Sequence, residues 1–284
     1  MLNQKNFTKR IWILWYQGIL AAPFVVKKCI NSWVQKNPEW EVIVLDESNL
    51  EQYITLDLPQ HKLNKISLTK QSNLVRLQLL AQHGGVWTDA TTLCTTPLDN
   101  WLFECCQSGF FAFSNAGKDR EMSNWFMVSE KNNPIVEKMR IKYCTFFAQN
   151  SFQVGTPFKK RIIKVLSKYF NQNRHRTRFW LSPLVTKVLK VHPYFIFHYI
   201  FYQLITTDKQ CEIIWQNTKK ISPINARLIQ TIGLHTALTP KIKASIDSPS
   251  SPLYKLTWKY DHEKEYSNNS VLSYILEGQH DKQL

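Results

Sequence analysis

Glycine is scarce in this 284-residue chain, with 8 in all, and no low-complexity linker or internal repeat divides it, which excludes disordered and repetitive architectures. The N-terminal stretch MLNQKNFTKR has no apolar segment ahead of the first strand-like run, so nothing in it resembles a secretory signal; residence in the cytoplasm is the expectation. No apolar run reaches the roughly 20 residues that a bilayer core requires. The run YFIFHYIFYQLI at residues 194–205 instead has the length and aromatic content of a buried helix. Metal-type cysteine spacing is lacking as well: Cys29, Cys94, Cys105, Cys106, Cys144 and Cys211 lie among apolar neighbours, as reduced core thiols do.

Acidic residues are few, 21 against 36 Lys and Arg, and the net charge of +15 is unevenly spread. Residues 1–100 are nearly balanced, whereas residues 138–190 hold 13 Lys or Arg and no Asp or Glu. Such a block predicts an anionic neighbour: a phospholipid surface, a lipid-linked pyrophosphate or nucleic acid. It carries no recognised nucleic-acid motif and its aromatics keep a core-like period, so no nucleic-acid partner is expected. Within it, KKRIIKVLSKYF places Ile162, Ile163, Leu166, Tyr169 and Phe170 on one helical face, with Lys160, Arg161, Lys164 and Lys168 largely elsewhere. That is an amphipathic basic helix, either a core helix with a solvated face or an attachment to a membrane surface.

What the chain has in quantity is apolar and aromatic residues, 44% and 13%, enough for one densely packed α/β domain over residues 1–284. Residues 11–16 read as a buried strand with a turn at Gln17-Gly18, then a helix after Pro23, then a strand over 41–45 that ends in Asp46-Glu47. This β-α-β opening is how a nucleotide-binding half begins. Further strands are expected at 110–113 and 125–128, a helix at 134–147, mostly helix beyond Pro157, and a strand in YKLTWKY at 254–260. Residues from about 1 to 130 thus form a sheet-bearing half and those from about 131 to 260 a helical half. The polar segment 261–284 lacks periodicity and is expected to be loosely ordered.

The segment TKQSNLVRLQLLAQH reads as a buried helix that breaks at Gly84-Gly85 and passes into VWTDATTLC. Ser72, Asn73 and Arg76 share a face and cut one polar notch into a surface of Leu74, Val75, Leu77, Leu79 and Leu80. The paired glycines suit a sharp helix end, and Val86-Trp87-Thr88 forms a strand that carries Asp89 to the sheet edge where α/β folds gather ligands.

This pattern resembles the "SDxxR, short helix, GGVW.DAT" signature of bacterial capsular-polysaccharide-synthesis glycosyltransferases, relatives of the DXD sugar-binding-region enzymes with the GT-A fold. Flanking matches are IWILWYQG at 11–18, PFVVKKCINSW with NPEWEVIVLD up to Asp46, TTPLDNWL at 95–102, NWFMVSEKNNPIV at 124–136, YFIFHYIF at 194–201 and YKLTWKY. The resemblance implies a GT-A type, Rossmann-like nucleotide-sugar-binding sheet. It also implies transfer of a sugar from a nucleotide-diphosphate donor, UDP-linked by expectation, to a growing capsular or other surface glycan, lipid-linked or free, with retention favoured by fold analogy.

Under that resemblance Asp89 and Arg76 are the catalytic candidates, and Trp15, Tyr16, Gln17, Asp46, Ser72, Asn73, Gly85 and Asn124 the donor-binding ones. Trp12, Trp15 and Tyr16 offer aromatic platforms for a base, though each ring could equally be core. A guanidinium such as Arg76 can grip sugar or phosphate oxygens bidentately, and the alternative for it is a structural salt bridge to Asp89. Asn73 stands where many relatives carry Asp. Thr91 stands where a full DXD motif places its metal-binding carboxylate, so a Mn²⁺ or Mg²⁺ cofactor would rest on Asp89, Thr91 and a late ligand, His198 or His235. The bland reading of His198 is a core histidine. Asp99 is expected to cap the turn at Asn100-Trp101, and Lys255 and Lys259 either reach the diphosphate or sit solvated on an exposed strand. Two other readings stand beside the enzyme: a degenerate fold that binds donor without turnover, and a basic nucleic-acid-binding protein.

Overall fold

The computed structural model describes residues 7–152, 155–247, 251–259 and 269–277. In chain order the elements are β1 (Arg10–Leu14), α1 (Phe24–Lys36), β2 (Glu41–Leu45), α2 (Gln60–Leu63), α3 (Leu68–His83), β3 (Gly85–Thr88), β4 (Thr92–Cys94), α4 (Leu102–Cys105), β5 (Phe110–Gly117) and β6 (Arg120–Ser129). Then follow α5 (Pro134–Ala148), α6 (Pro157–Phe170), α7 (Ile196–Thr207), α8 (Lys209–Asn217), α9 (Leu228–Ile232), α10 (Pro240–Asp247), β7 (Leu253–Lys255) and α11 (Val271–Glu277).

Five strands make one mixed sheet in the order β2-β1-β3-β6-β5; β1 is parallel to β2 and β3, and β6 runs antiparallel to β3 and β5. Successive strand residues point to opposite faces, and the alternation divides the interior in two. Trp12, Leu14, Ile43, Leu45, Trp87, Phe110 and Met127 enter the core shared with α3, α5 and α7. Ile11, Ile13, Val86, Phe111, Phe113 and Val128 enter the other, with α1, β4, β7 and α11. The central strand stretches Ile11–Leu14, Val42–Leu45, Val86–Trp87, Phe110–Phe113 and Trp125–Val128 are therefore apolar on both faces, as a sheet covered on both sides requires.

The two glycines set where β3 begins. Gly84 ends α3 at φ 70°, and Gly85 follows at φ 94°, where a Cβ would stand 2.5 Å from the Arg10 carbonyl of neighbouring β1. The indole of Trp12 locks the break by donating to the Gly84 carbonyl at 2.9 Å. At its other end β3 leads into a tight turn, closed by Thr92 N–H donating to the Asp89 carbonyl at 2.9 Å, and β4 then pairs antiparallel with β7, placing Lys255 opposite Thr92.

Some expectations shift. β1 stops at Leu14, because Trp15 and Tyr16 leave the sheet in a turn. Only Tyr254 and Lys255 of YKLTWKY pair as a strand, together with the preceding Leu253, and Tyr260 lies outside the described residues. Within the segment expected to be loosely ordered, Val271–Glu277 is helical, with Val271 and Leu272 buried against the sheet; residues 261–268 and 278–284 lie outside the described residues. All six cysteines are free and buried, and no helix among the described residues is long and apolar enough to cross a membrane.

Candidate active site

Two adjoining cavities open at the C-terminal ends of β1 and β3. The larger, about 470 Å³, is walled by Trp15, Tyr16 and Gln17 after β1, by Ser72 and Arg76 of α3, by Asp89 and Thr91, and by Lys255, Trp258 and Lys259. The smaller, about 180 Å³, lies among Asn73, Ser123, His198, Arg120 and Arg227. Asp89, Asn124, Tyr194 and Lys255 border both.

Asp89 is the hub. Its backbone N–H donates to the Trp125 carbonyl at 2.8 Å, which pins the turn to β6. Oδ1 accepts from Arg76 Nη2 at 3.2 Å and from the Trp87 indole at 3.3 Å, and Oδ2 accepts from Lys255 Nζ at 3.1 Å. Lys255 also donates to the Thr91 hydroxyl. Burial by itself would raise the Asp89 pKa, but Lys255 and Arg76 outweigh it and hold the carboxyl below its ordinary value. Arg76 is 3% exposed, and burial draws its pKa down while Asp89 opposes the change. Its other terminal nitrogen donates to the Asn124 carbonyl, its plane lies 4.8 Å from the Trp87 ring centre, and its Nε has no partner among the described residues. The ion pair to Asp89 is thus real, and Arg76 still borders the cavity.

Lys255, read from the sequence as either reaching the diphosphate or solvated, has a partner that sequence reasoning missed, Asp89. Its side chain is 16% exposed and belongs to the charge cluster, so the solvated-strand expectation holds for exposed Lys259 and fails for Lys255. Alternation of Lys255 with buried Tyr254 and Leu256 reads equally as a lysine on a solvated face, so no local signal marked the pairing.

Other candidates sort by position. Trp15 and Tyr16 border the larger cavity, and Trp258, 43% exposed, meets Trp15 edge to face at 5.8 Å. Burial pushes the Tyr16 phenol pKa up, against the opposing pull of Arg76, and its hydroxyl has no partner among the described residues. Trp12 is fully buried in the core and cannot be a platform. Ser72 faces the larger cavity but turns its hydroxyl back to the Thr69 carbonyl at 2.9 Å. Asn73 is spoken for as well: it donates to the Tyr143 hydroxyl at 3.1 Å and accepts from the Asn124 amide at 3.0 Å, tying α3 to α5 and β6 at the wall of the smaller cavity.

Three assignments are corrected. Asp46 lines neither cavity; it closes its own turn by accepting from the backbone and hydroxyl of Ser48 and from Asn49 N–H. Gly85 is buried, with a role in backbone approach to β1 instead of ligand contact. Asp99 does not cap: it accepts from Lys9 at 3.0 Å and from the Trp40 indole at 3.2 Å, and Pro97 precedes the short helical turn.

The residues do not fit the divalent cation that the resemblance implies. A hard cation needs several oxygens free of competing positive charge. Here both Asp89 oxygens accept from cations, the Thr91 hydroxyl accepts from Lys255, and no group of three or more His, Cys, Asp or Glu converges among the described residues. His235 is exposed and borders neither cavity. His198 does border the smaller one, 6% exposed, with Nδ1 unpartnered among the described residues. Burial, reinforced by Arg120 and Arg76, lowers its pKa to about 3, so its imidazole is neutral at physiological pH.

With this geometry in place, comparison with known proteins decides the family. Residues 2–177 match the family model described as capsular polysaccharide synthesis protein. The chain belongs to that family. Among curated proteins it is 25% identical over 150 residues to the O-glycosyltransferase braB of Annulohypoxylon truncatum, covering 46% of this chain and 35% of that protein. It is 29% identical over 104 residues to the glycosyltransferase afumC of Aspergillus fumigatus, covering 32% and 27%. With the initiation-specific alpha-1,6-mannosyltransferase of Candida albicans it shares 24% over 178 residues, covering 57% and 43%. The chain therefore spans less than half the length of each of these relatives.

Proposed function

We propose that this member of the family is a glycosyltransferase of the GT-A kind that moves a sugar from a nucleotide-diphosphate donor, UDP-linked in the first instance, to a growing capsular or other surface glycan. One observation carries the reading. A single carboxylate, Asp89, stands at the C-terminal end of the central parallel-edged strand between an aromatic-walled cavity and a smaller polar one, flanked by Arg76 and Lys255. The larger cavity suits a nucleoside diphosphate: Trp15, Tyr16 and Trp258 offer faces to a base, and Arg76, Lys255 and Lys259 outnumber its one acid. The smaller one suits the transferred sugar, with Asn124, Ser123 and His198 as hydroxyl partners.

In this reading the C1–O bond of the donor breaks with its electrons passing to the diphosphate, and the acceptor hydroxyl oxygen bonds C1. The proton of that hydroxyl ends on the departing diphosphate. The chain's contribution is to hold acceptor hydroxyl and leaving diphosphate on the same face of C1 and to place fixed positive charge where negative charge grows. Retention is the stereochemical outcome we favour.

Attachment to an anionic membrane belongs to the same proposal. α6 turns Leu166 and Phe170 to the core and leaves Phe158, Val165 and Tyr169 at 68%, 49% and 57% exposure, beside Arg161 and Lys168. Tyr169, expected on the buried face, is outward. An apolar stripe flanked by basic residues is what a helix lying in a lipid headgroup layer presents.

Thermal denaturation with a panel of nucleotide sugars tests the proposal, since a ligand bound only by the native state at 100 times its Kd adds about 2.7 kcal/mol. A rise with one donor, and its consumption with an acceptor glycan, is the expected result. Failure of every nucleotide sugar to raise the melting temperature overturns it. Binding without turnover would favour the degenerate alternative.

A further inference from the structure

We propose that Lys255 takes the place of the divalent cation: the ammonium, fixed by Asp89 and Thr91, neutralises the donor diphosphate, and the protein binds nucleoside diphosphates without metal. The inference rests on the nucleotide-diphosphate reading above and deepens it.

Four observations converge. The ammonium lies against the two positions of the Asp-Ala-Thr motif that would face a cation, 3.1 Å from Asp89 Oδ2 and hydrogen-bonded to the Thr91 hydroxyl. A lysine has three N–H donors, so these two bonds leave one for a ligand oxygen, and Lys255 borders both cavities. Its position is built in: β7 pairs with β4 in a register that sets Lys255 opposite Thr92, and Leu256 N–H donates to the Thr91 carbonyl at 2.8 Å. Finally, charge favours it. Asp89 with Arg76 and Lys255 carries a formal charge of +1, and Lys259 on the same wall makes it +2, a match for a diphosphate. A divalent ion added at Asp89 would face two cations that are already seated, with no second carboxylate among the residues lining either cavity to offset them.

Thr91 acquires a reason here. A carboxylate at that position would bind metal, whereas a hydroxyl can accept one bond from an ammonium and hold it without adding charge.

The test is calorimetric titration of the intact chain with UDP, GDP and inorganic pyrophosphate, in EDTA and again in Mn²⁺. A Kd that agrees between the two conditions within about twofold, well under the roughly tenfold that 1.4 kcal/mol represents, is the expected result. Binding that appears only with Mn²⁺ overturns the inference and leaves the donor reading standing; absence of binding in both overturns the donor reading and this inference together. Lys255→Met should weaken binding in EDTA about ten- to hundredfold, the span of one charged hydrogen bond, and Lys255→Arg should restore part of it. Equal affinity of a folded Lys255→Met protein also overturns the inference. Should that variant not fold, the wild-type comparison decides alone.

Discussion

Two regions of this molecule carry its positive charge, and they handle it in opposite ways. Around Asp89, Arg76 and Lys255 are withdrawn from water and every charge has a partner. Along α6, Lys160, Arg161, Lys164 and Lys168 stand in solvent, and none forms an ion pair among the described residues. The first arrangement is costly to disturb and fixes geometry; the second is cheap to change and reads as a field. Charge count alone would rank the basic block as the functional centre. Burial reverses that ranking.

Asp89→Asn is the sharpest way to break the contrast. It leaves buried Arg76 and part-buried Lys255 without their acid, so unfolding in urea should show a loss of about 2–3 kcal/mol, below the value for a fully buried pair because the Asp89 side chain is 30% exposed. Sugar transfer should be lost as well. Unchanged stability would mean that the cluster is solvated like α6.

Acid should find the buried half next. His198 and His192 are held neutral, with pKa values lowered from 6.5 to about 3 and about 4, by burial first and by Arg120 and Lys70 respectively as the next cause. The unfolded chain takes up protons below pH 6.5 that the native state refuses, so their contribution is complete above pH 6.5 and is lost as pH falls towards those lowered values. From pH 6.5 to 5 each should remove roughly 2 kcal/mol, at 1.36 kcal/mol per unit. Urea midpoints measured across that range should decline, and His192→Asn should flatten the decline; an identical slope in the variant would exclude His192 as a source.

The smallest effect on folding belongs to α6. Replacing Lys160, Lys164 and Lys168 together by Gln should shift stability by no more than about 0.5 kcal/mol per site, as exposed substitutions do. Cosedimentation with anionic vesicles should nevertheless fall roughly a hundredfold, at about 1 kcal/mol per lysine near a charged surface. Undiminished vesicle binding would remove the membrane part of the proposal.

Legibility followed the same division between local and distant. The run from α3 through Gly84-Gly85 to Asp89 was readable because each signal in it is local: helical spacing, a glycine break, a β-branched and aromatic strand. The strand at Glu41–Leu45 was readable for the same reason. Lys255 was not, since its acid lies 166 residues earlier and no local pattern records that pairing. Asp46 and Asp99 were misassigned because a carboxylate beside a strand end or a turn looks alike whether it meets a ligand, Ser48 or Trp40. His198 was correctly placed in an apolar helix, but periodicity could not say that the residue borders a cavity with one ring nitrogen unpartnered among the described residues.

The pairing of β7 with β4 also sets an order of assembly. Arg76, Trp87 and Asp89 leave the ribosome together, whereas the lysine that completes their charge balance emerges long afterwards and beyond the segment 2–177 that marks the family. Until residues 253–255 are made, Asp89 has Arg76 but not Lys255 to pair with, and the β4–β7 ribbon that seats the second cation has no second strand.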